Sequence, residues 1–585
     1  MQYIARGSRA FSDEVDTGSS KKMRPNKKLE HRSVSIGSEC VLVWLGLIKS
    51  AWDARADNSS CARKEALRLP FDSLTQSAND ALKQAGAFVN DLMTPTLRLG
   101  VTGLSRAGKT VFITSLVRNL VVGGRLPFFK PHAEGRILRA FLEPQPDDAV
   151  PRFDYERHLA ALSADPPEWP QSTRRISELR VTIEYEPESA FWRFMGTSRL
   201  HVDIVDYPGE WLTDLALLEQ SYRDWASAAI SHVKARPSGQ AAKAFLTFLE
   251  TFRGQRNGDA KTLLAETGTY DDEKIALEGA ALFTAYLAEA RSANGGIATL
   301  SPGRFLMPGD HEGSPLLTFF PFQALNNTSR SSNEGERSTD TDLPSRSLTA
   351  LLERRFESYK SHIVRPFFRD HFSRIDRQVV LVDALGAMNG GPAAVADLER
   401  ALVGALTAFR PGTNTWLSSL LNKRVDHLLF AATKADHLHH GDHDKLEALL
   451  RYITDRAIAR AETAGANVRV MAIAALRATR EATAKSGKDE LACIMGTPLP
   501  GETIDGRVFD GKTEVAIFPG DLPEDPTQAF ANLSETSRPG RTDEIDIIRF
   551  RPPRLALGAS DGQPVAMPHI RLDRALDFLI GDLIQ

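Results

Sequence analysis

The chain has 585 residues, of which 42% are hydrophobic and 25% charged, and a formal net charge of −3. This length predicts about two to four domains. The nearly balanced charge is not typical of a protein that binds a nucleic acid or an anionic membrane. No apolar run reaches the ~18–20 residues that a membrane span needs. Only three cysteines occur, without metal or redox spacing, which favours a reducing, cytoplasmic setting.

The first segment, residues 1–65, is irregular and carries a basic run over residues 21–28. We expect a solvated, poorly ordered extension. The apolar run over residues 40–48 is favoured as a short buried segment, with an interfacial anchor or a partner-binding helix as alternatives. Residues 70–93 repeat apolar side chains at helix spacing, which predicts a helix before the first strand.

A phosphate-binding loop follows at residues 103–110, which read G-L-S-R-A-G-K-T and fit the pattern G-x-x-x-x-G-K-T. The glycines permit a tight turn whose backbone N–H groups point at the α- and β-phosphates. Lys109 would reach the β- and γ-phosphates, and the Thr110 hydroxyl is a candidate Mg²⁺ ligand. A predicted strand over residues 96–102 and an apolar helix face after the loop supply the context that the motif requires.

The next stretch, residues 123–176, is rich in Pro, Arg and Gly and is predicted as a long switch or lid loop. Alternating apolar residues then predict strands over residues 179–185 and 200–206. The second strand ends in D-x-x-G, in which Asp206 can hold Mg²⁺ through water and the Gly209 N–H can meet a γ-phosphate. An ordinary turn has the same spelling, but the position after a phosphate-binding loop favours the switch.

Residues 211–375 read mainly as helices, for example over residues 240–252 and 272–292. The phosphate-loop chemistry requires none of them, so we predict a domain-sized helical insertion. Within it, residues 326–346 are predicted as a loop, and the aromatic cluster at residues 319–322 is predicted as core.

The sheet is predicted to resume at residues 378–383 and to continue with a strand over residues 427–432. That strand leads into T-K-A-D at residues 433–436. The Asp436 carboxylate can accept paired hydrogen bonds from N1–H and N2–H₂ of guanine, a donor pair that adenine lacks, and the Lys434 stem can cover the base. The alternative is a plain polar turn.

Beyond this motif, a helix and a strand over residues 468–473 lead to a short loop at residues 474–476 that would face the base. The remaining chain is Gly/Pro-rich, with a short strand over residues 515–518 and an amphipathic helix over residues 572–583.

Four histidines, His437, His439, His440 and His443, cluster after Asp436. A metal site needs ligands that converge in space and a second shell, which clustering in sequence does not provide. We therefore expect solvated or capping side chains at a helix start.

Several motifs together resemble one family, the YcjX-like bacterial P-loop GTP-binding proteins, and the likeness covers about residues 66–585. They are GLSRAGKT at 103–110, WP at 169–170, DYPGEWL at 206–212, RQVVLVD at 377–383, AATKADH at 431–437, FPGDLP at 518–523, RFRPP at 549–553 and PHIRLD at 568–573.

The resemblance implies a cytoplasmic bacterial GTP-binding protein that depends on Mg²⁺ and is loosely linked to stress. The expected fold is a doubly wound α/β P-loop NTPase core of the Ras-like GTPase type, with a large helical insertion and a C-terminal α+β extension. The predicted layout is an extension at 1–65, the first half of the core at 66–210, the helical insertion at 211–375, the second half at 376–488 and the C-terminal extension at 489–585.

The predicted site contacts a guanine nucleotide and Mg²⁺. The predicted nucleotide contacts are Gly103, Ser105, Arg106, Ala107, Gly108, Lys109, Thr110, Val111, Gly209, Thr433, Lys434, Asp436, His437, Ala474, Ala475 and Leu476. The predicted Mg²⁺ ligands are Thr110, Thr173 and, through water, Asp206. Lys109, Thr173 and Glu210 are predicted to act in hydrolysis, and an unidentified protein effector would bind through the helical insertion.

Glu210 stands where Ras-like enzymes carry the glutamine that orients the attacking water. A carboxylate beside the γ-phosphate is electrostatically unfavourable, so we expect slow turnover. Arg106, Arg174 and Arg175 are candidate cations in cis. Two alternatives stay open, namely an ATPase or kinase and a guanine-nucleotide-binding module that does not hydrolyse.

Overall fold

The structure is a computed structural model, and its described residues lie between residues 94 and 585. It describes residues 94–103, 107–171, 175–190, 193, 197–235, 239–254, 272–292, 301–323, 348–407, 425–486, 489–504, 506–527, 547–555 and 565–585. The extension, the apolar run at 40–48, the helix predicted over 70–93 and the loop predicted at 326–346 lie outside the described residues.

The described chain is built around a seven-stranded mixed sheet with the strand order β2-β3-β4-β1-β5-β6-β7. Its strands are β1 (Thr96–Gly103), β2 (Ile137–Glu143), β3 (Ser177–Tyr185), β4 (Ser198–Asp206), β5 (Arg377–Val382), β6 (His427–Ala432) and β7 (Asn467–Ala472). The five strands from β4 to β7 in this order are parallel, whereas β2 and β3 are antiparallel neighbours at one edge. The predicted strands of the core agree with these to within two residues, and the mixed α/β fold with a parallel central sheet is confirmed.

The prediction of one long loop over residues 123–176 is wrong. This stretch contains the edge strand β2 and two short helices, Lys130–Ala133 and Tyr155–Leu162. Burial along β2 does not alternate, since only Ala140 is buried and Leu138 is 48% exposed. The strand therefore lacks the period of two by which a half-buried strand is recognised.

Helices cover the sheet on both faces. In chain order they are α1 (Lys109–Val121), α2 (Lys130–Ala133), α3 (Tyr155–Leu162), α4 (Glu210–Thr213), α5 (Tyr222–Ala235), α6 (Gln240–Gly254), α7 (Asp272–Ser292), α8 (Leu348–Tyr359), α9 (Arg365–Asp370), α10 (Ala384–Asn389), α11 (Gly391–Thr407), α12 (His443–Thr463) and α13 (Leu572–Ile580). In the part of the chain that connects β4 to β5, the helices α5 to α9 pack on one another, and this group is called the helical layer below.

The continuous apolar run of β5 follows from burial on both faces. Val379 and Leu381 belong to the cluster that also contains the buried residues of α1 and α13. Val380 and Val382 belong to the cluster formed with α10, α11 and α12. Alternate residues of β5 therefore point to opposite faces of the sheet and contribute to the two cores.

The helices α5 to α9 have an aromatic core. The predicted core residues Phe319, Phe320 and Phe322 are buried there. Val205 and Tyr207 belong to the same cluster, so this core is continuous with the end of β4.

The C-terminal segment returns to the sheet. The amphipathic helix predicted over residues 572–583 forms as α13, followed by a 3₁₀ turn at Gly581–Leu583. Arg377, at the start of β5, donates a hydrogen bond to the carbonyl of Leu579 at 2.6 Å and pairs with Asp582 at 2.6 Å. A strand was predicted at residues 515–518 and forms as Val515–Ile517, where it joins the hairpin Arg480–Ser486 and Asp489–Gly496 that the sequence patterns did not reveal.

We predict that the packing of α13 against α1 stabilises the hydrophobic core. Leu576 is buried in the cluster that contains Phe112 and Leu116 of α1, so Leu576→Ala should lower the free energy of unfolding by about 2–5 kcal/mol. Chemical denaturation measures this. Arg456→Ala, at a side chain that is 77% exposed, is the control and should change stability by less than about 0.5 kcal/mol. Equal effects of the two substitutions would contradict the prediction.

Candidate functional site

A cavity of about 340 Å³ lies at the carboxyl edge of the parallel strands, where open α/β sheets bind ligands. Its lining comes from distant parts of the sequence. Among the described residues these are Ala107, Gly108, Lys109, Thr110, Val111, Phe112, Trp169, Pro170, Glu210, Arg291, Met307, Thr433, Lys434, Asp436, His437, Ala474, Ala475, Leu476, Ala478, Leu499, Arg549 and Phe550.

The phosphate-binding loop forms one end of this cavity. Gly108 has φ of 82° and so occupies the left-handed region that favours glycine. At Gly103 a Cβ atom would lie 2.8 Å from the carbonyl oxygen of Leu381, so only glycine fits. The Lys109 ammonium donates to the Gly103 carbonyl at 3.3 Å. This bond holds the cation within the loop, at the start of α1.

The T-K-A-D motif lies across the cavity at the end of β6. Lys434 has φ of 63°, a left-handed conformation that is rare for a residue with a side chain, and its ammonium pairs with Asp383. The Asp436 carboxylate is buried and accepts a hydrogen bond from the Ala478 N–H at 2.7 Å. This contact orients the carboxylate, which also lines the cavity.

The loop predicted after β7 is fixed by the C-terminal segment. Ala474 exchanges backbone hydrogen bonds of 3.1 and 2.8 Å with Ile570. Ala474, Ala475 and Leu476 all line the cavity, as their predicted position requires.

An apolar wall of the cavity was not predicted as part of the site. The Trp169 indole N–H donates to the carbonyl of Phe550 at 2.7 Å, and Leu499 and Arg549 lie on the same wall. Arg549 is anchored by Glu502 at 2.7 Å. Trp169, Arg549 and Phe550 occur in the motifs of the family, but no local pattern assigns them a position beside the phosphate-binding loop.

The residue after the D-x-x-G motif, Glu210, is held by a cation from the helical layer. Its carboxylate accepts a hydrogen bond from Arg291 at 2.8 Å, and only 5% of the Glu210 side chain is exposed. Both residues line the cavity. A Cβ atom at Gly303 would lie 2.2 Å from the Glu210 carbonyl oxygen, so the backbone behind Glu210 is also in close contact.

The segment after Glu210 is tied to the helical layer by a buried carboxylate, Asp214. It accepts hydrogen bonds from the Gly303 N–H at 2.7 Å and from the Tyr359 hydroxyl at 2.5 Å. Burial raises the pKa of Asp214 to about 6, although these two hydrogen bonds act in the opposite direction. Nearby, the Arg304 guanidinium stacks on the Trp211 ring.

The four clustered histidines have different environments. His439 accepts from the Gly441 N–H at 3.4 Å, as predicted for a capping side chain, and His440 is exposed. The prediction of a solvated or capping role is wrong for His437 and His443, which are buried. Burial lowers the pKa of both rings. The imidazoles of His439 and His440 also approach the Glu481 carboxylate, which Arg477 contacts at 3.6 Å.

The structure thus brings thirteen of the predicted residues to one cavity. These are Ala107, Gly108, Lys109, Thr110, Val111, Glu210, Thr433, Lys434, Asp436, His437, Ala474, Ala475 and Leu476. Gly103, Asp206 and Gly209 are buried and are not among the lining residues of the cavity. Ser105, Arg106, Thr173 and Arg174 lie outside the described residues. Arg175 is exposed and is not among the described lining residues.

None of the helices in the described part of the chain is both long and apolar enough to cross a membrane.

We predict a pH-dependent contribution of Asp214 to stability. Because its pKa is raised from 3.8 to about 6 in the native state, the folded protein retains a proton between about pH 4 and 6 that the unfolded chain releases. This contribution is therefore complete below about pH 4, falls as the pH rises to about 6, and is constant above.

Unfolding free energies of wild type and Asp214→Asn test this. Their difference should decrease by roughly 3 kcal/mol between pH 3 and pH 7, at 1.36 kcal/mol for each pKa unit. The exposed Asp224→Asn is the control. A difference that does not vary with pH would contradict the prediction.

Comparison with known proteins agrees with the motifs and the fold. The YcjX-like family, DUF463, matches residues 97–584. A protein of Shewanella oneidensis named Ras-like GTPase YcjX is 34% identical over 504 residues, which are 84% of this chain and 95% of the relative. An Escherichia coli protein of the same name is 34% identical over 508 residues, which are 86% and 99% of the two chains. The predicted resemblance is confirmed, and the chain belongs to the YcjX-like family.

Proposed function

We propose that this protein binds GTP and GDP in the cavity, hydrolyses GTP slowly with Mg²⁺, and acts as a nucleotide-dependent switch. One observation carries the proposal. The phosphate-binding loop with Lys109 and the base-recognition motif with Asp436 line the same cavity, although more than 300 residues separate them. Two relatives that carry the name Ras-like GTPase support it.

The phosphates would lie at the start of α1. There the first N–H groups of the helix have no partner within it, and the helix dipole favours an anion. Lys109 would exchange the Gly103 carbonyl, which it contacts at 3.3 Å, for the β- and γ-phosphate oxygens.

The base would lie between Lys434 and the loop at residues 474–476, within reach of Asp436. The contact from Ala478 occupies one acceptor site of the carboxylate, and an ionised carboxylate has about four such sites. Asp436 can therefore keep this contact and still accept from N1–H and N2–H₂ of guanine. The buried His437 ring packs edge-on against Phe550 at 5.3 Å and supports this end of the cavity.

The residues present fit Mg²⁺, because a hydroxyl and a carboxylate are the oxygen ligands that this ion prefers. Thr110 lines the cavity, and Asp206 is fully buried at the end of β4, paired in register with Val101 of β1. Thr110 would bind the ion directly and Asp206 through water, and Thr173 is the proposed switch threonine. Bound Mg²⁺ would neutralise charge on the β- and γ-phosphate oxygens.

Hydrolysis would proceed by in-line attack of water on the γ-phosphate, with Glu210 as the acceptor that orients the water. Lys109 and the loop N–H groups stabilise the developing charge. The expected rate is near the ~10⁻⁴–10⁻² s⁻¹ of small GTPases without external help.

A second candidate function is a binding module that holds GTP or GDP without hydrolysing it. The carboxylate of Glu210 in place of the usual glutamine favours this alternative.

The helices between β4 and β5 are the proposed insertion that reports the nucleotide state to an effector. Contacts of Glu210 with Arg291 and of Asp214 with Gly303 and Tyr359 join this layer to the segment that follows the γ-phosphate position. A displacement of that segment would therefore shift the residues of the helical layer that contact it.

Single-turnover hydrolysis of GTP and ATP, with and without Mg²⁺, tests the proposal. Wild type should hydrolyse GTP only with Mg²⁺ and much faster than ATP, and Lys109→Ala should slow the reaction at least about 100-fold, since it removes a charge from the transition state. Lys130→Ala, on the exposed surface of α2, is the matched control.

Two results would contradict the proposal. Equal rates with ATP and GTP would favour an ATPase, and tight GTP binding without turnover would favour the binding module.

A further inference from the structure

We propose that Arg291 is a catalytic residue, a cation that the helical layer contributes in cis to the γ-phosphate of GTP. Arg291 would stabilise the transition state and compensate the charge of Glu210. This inference rests on the proposed GTPase function and identifies a residue of the same site.

The position of Arg291 in the fold supports this role. It is the penultimate residue of α7, and its guanidinium reaches the cavity and Glu210 at 2.8 Å. Glu210 directly follows Gly209, whose N–H would meet the γ-phosphate. Arg291 therefore contacts Glu210, the residue that directly follows the proposed γ-phosphate contact.

The other cations of the described lining have different positions. Lys434 pairs with Asp383 at the base end, and Arg549 is anchored to Glu502 on the apolar wall. Lys109 belongs to the phosphate-binding loop itself. Arg291 is thus the described cation that can add a second positive charge at the Glu210 side of the cavity.

The chemistry of the guanidinium fits both tasks at once. Its five N–H groups form a rigid, planar fork. One group can remain on Glu210 while others donate to γ-phosphate oxygens. The pair leaves the Glu210 carboxylate able to accept from the attacking water, and the cation offsets its repulsion from the γ-phosphate.

In the reaction, the water oxygen forms a bond to the γ-phosphorus as the bond from that phosphorus to the β–γ bridging oxygen breaks. GDP leaves with the electron pair of the broken bond, and the water proton passes to the released phosphate. Arg291 would act on the charge of the transferring group, which is the role that a cation supplied in cis performs in other GTPases.

The test compares Arg291→Ala and Arg291→Lys with wild type in three measurements. These are single-turnover GTP hydrolysis, calorimetric affinity for GDP, and formation of the complex with GDP and aluminium fluoride, which imitates the transferring phosphoryl group. Arg291→Ala should slow hydrolysis at least about 100-fold and abolish the aluminium fluoride complex, while GDP affinity stays within about threefold. Arg291→Lys should be intermediate, because it keeps the charge without the fork.

A double variant tests the link with Glu210. In Arg291→Ala the carboxylate loses its partner cation, so affinity for GTPγS should fall more than affinity for GDP. Adding Glu210→Gln removes the uncompensated charge and should restore part of the GTPγS affinity without restoring hydrolysis.

Arg355→Ala is the matched control for a loosened helix. Arg355 pairs with Glu273 near the start of α7 and donates to the Thr318 carbonyl at 3.0 Å. It is remote from the cavity, because 18 residues of helix separate Glu273 from Arg291, which is about 27 Å. Hydrolysis in this variant should remain close to the wild-type rate.

The outcomes separate the two proposals. If wild type hydrolyses GTP and Arg291→Ala does so within about threefold of its rate, the role of Arg291 is wrong while the GTPase function stands. Loss of GDP affinity in Arg291→Ala, or an equal loss of hydrolysis in Arg355→Ala, would also overturn it, since Arg291 would then only maintain the fold. Failure of wild type to bind guanine nucleotides would instead refute the proposed function.

Discussion

The parallel pairing of β1 with both of its neighbours is the constraint on which the site depends. Strands that run in the same direction end at the same edge of a sheet, so the loops after β1, β4, β6 and β7 must meet there. The close approach of Gly103 to the carbonyl of Leu381 shows how tightly this edge is packed. Two cores, one on each face, fix the strands and thereby the distance from the phosphate-binding loop to Asp436.

The sequence predicts those parts of the site whose functional residues lie together in a short contiguous motif. The phosphate-binding loop and T-K-A-D are short motifs, and each follows an apolar run that is recognisable as a strand. Because the strands are parallel, the meeting of Lys109 and Asp436 at one cavity could also be expected. The bounds of the core strands were predictable for the same reason, since β5 and β6 are buried on both faces and read as continuous apolar runs.

Other features could not be predicted because they depend on contacts between distant segments. Arg291 lies at the end of an ordinary helix, and only the packing of that helix places it beside Glu210. The pair of Trp169 and Phe550 is formed by residues 381 positions apart. The edge strand β2 was missed because its apolar residues, with Leu138 exposed, do not alternate between a buried and an exposed face. The burial of His437 was missed because its ring packs against Phe550, a residue of the C-terminal segment.

The segment after β4 connects the cavity with the helical layer. Glu210 faces the cavity, and Asp214, four residues later, is buried against the helical layer. A ligand that moves this segment therefore acts on a packed interface with few alternative arrangements.

The proposed selection of guanine by Asp436 is tested by calorimetric titration of GDP, ADP and XDP into wild type and Asp436→Asn. Xanthine carries a carbonyl where guanine carries its exocyclic amine, so the amide of Asn can donate where the carboxylate of Asp accepts. Wild type should prefer GDP to both others by at least about 100-fold, since charge-assisted hydrogen bonds contribute about 1.5–3 kcal/mol each. Asp436→Asn should prefer XDP. Equal affinity of wild type for ADP and GDP, or an unchanged preference for GDP in the variant, would contradict the claim.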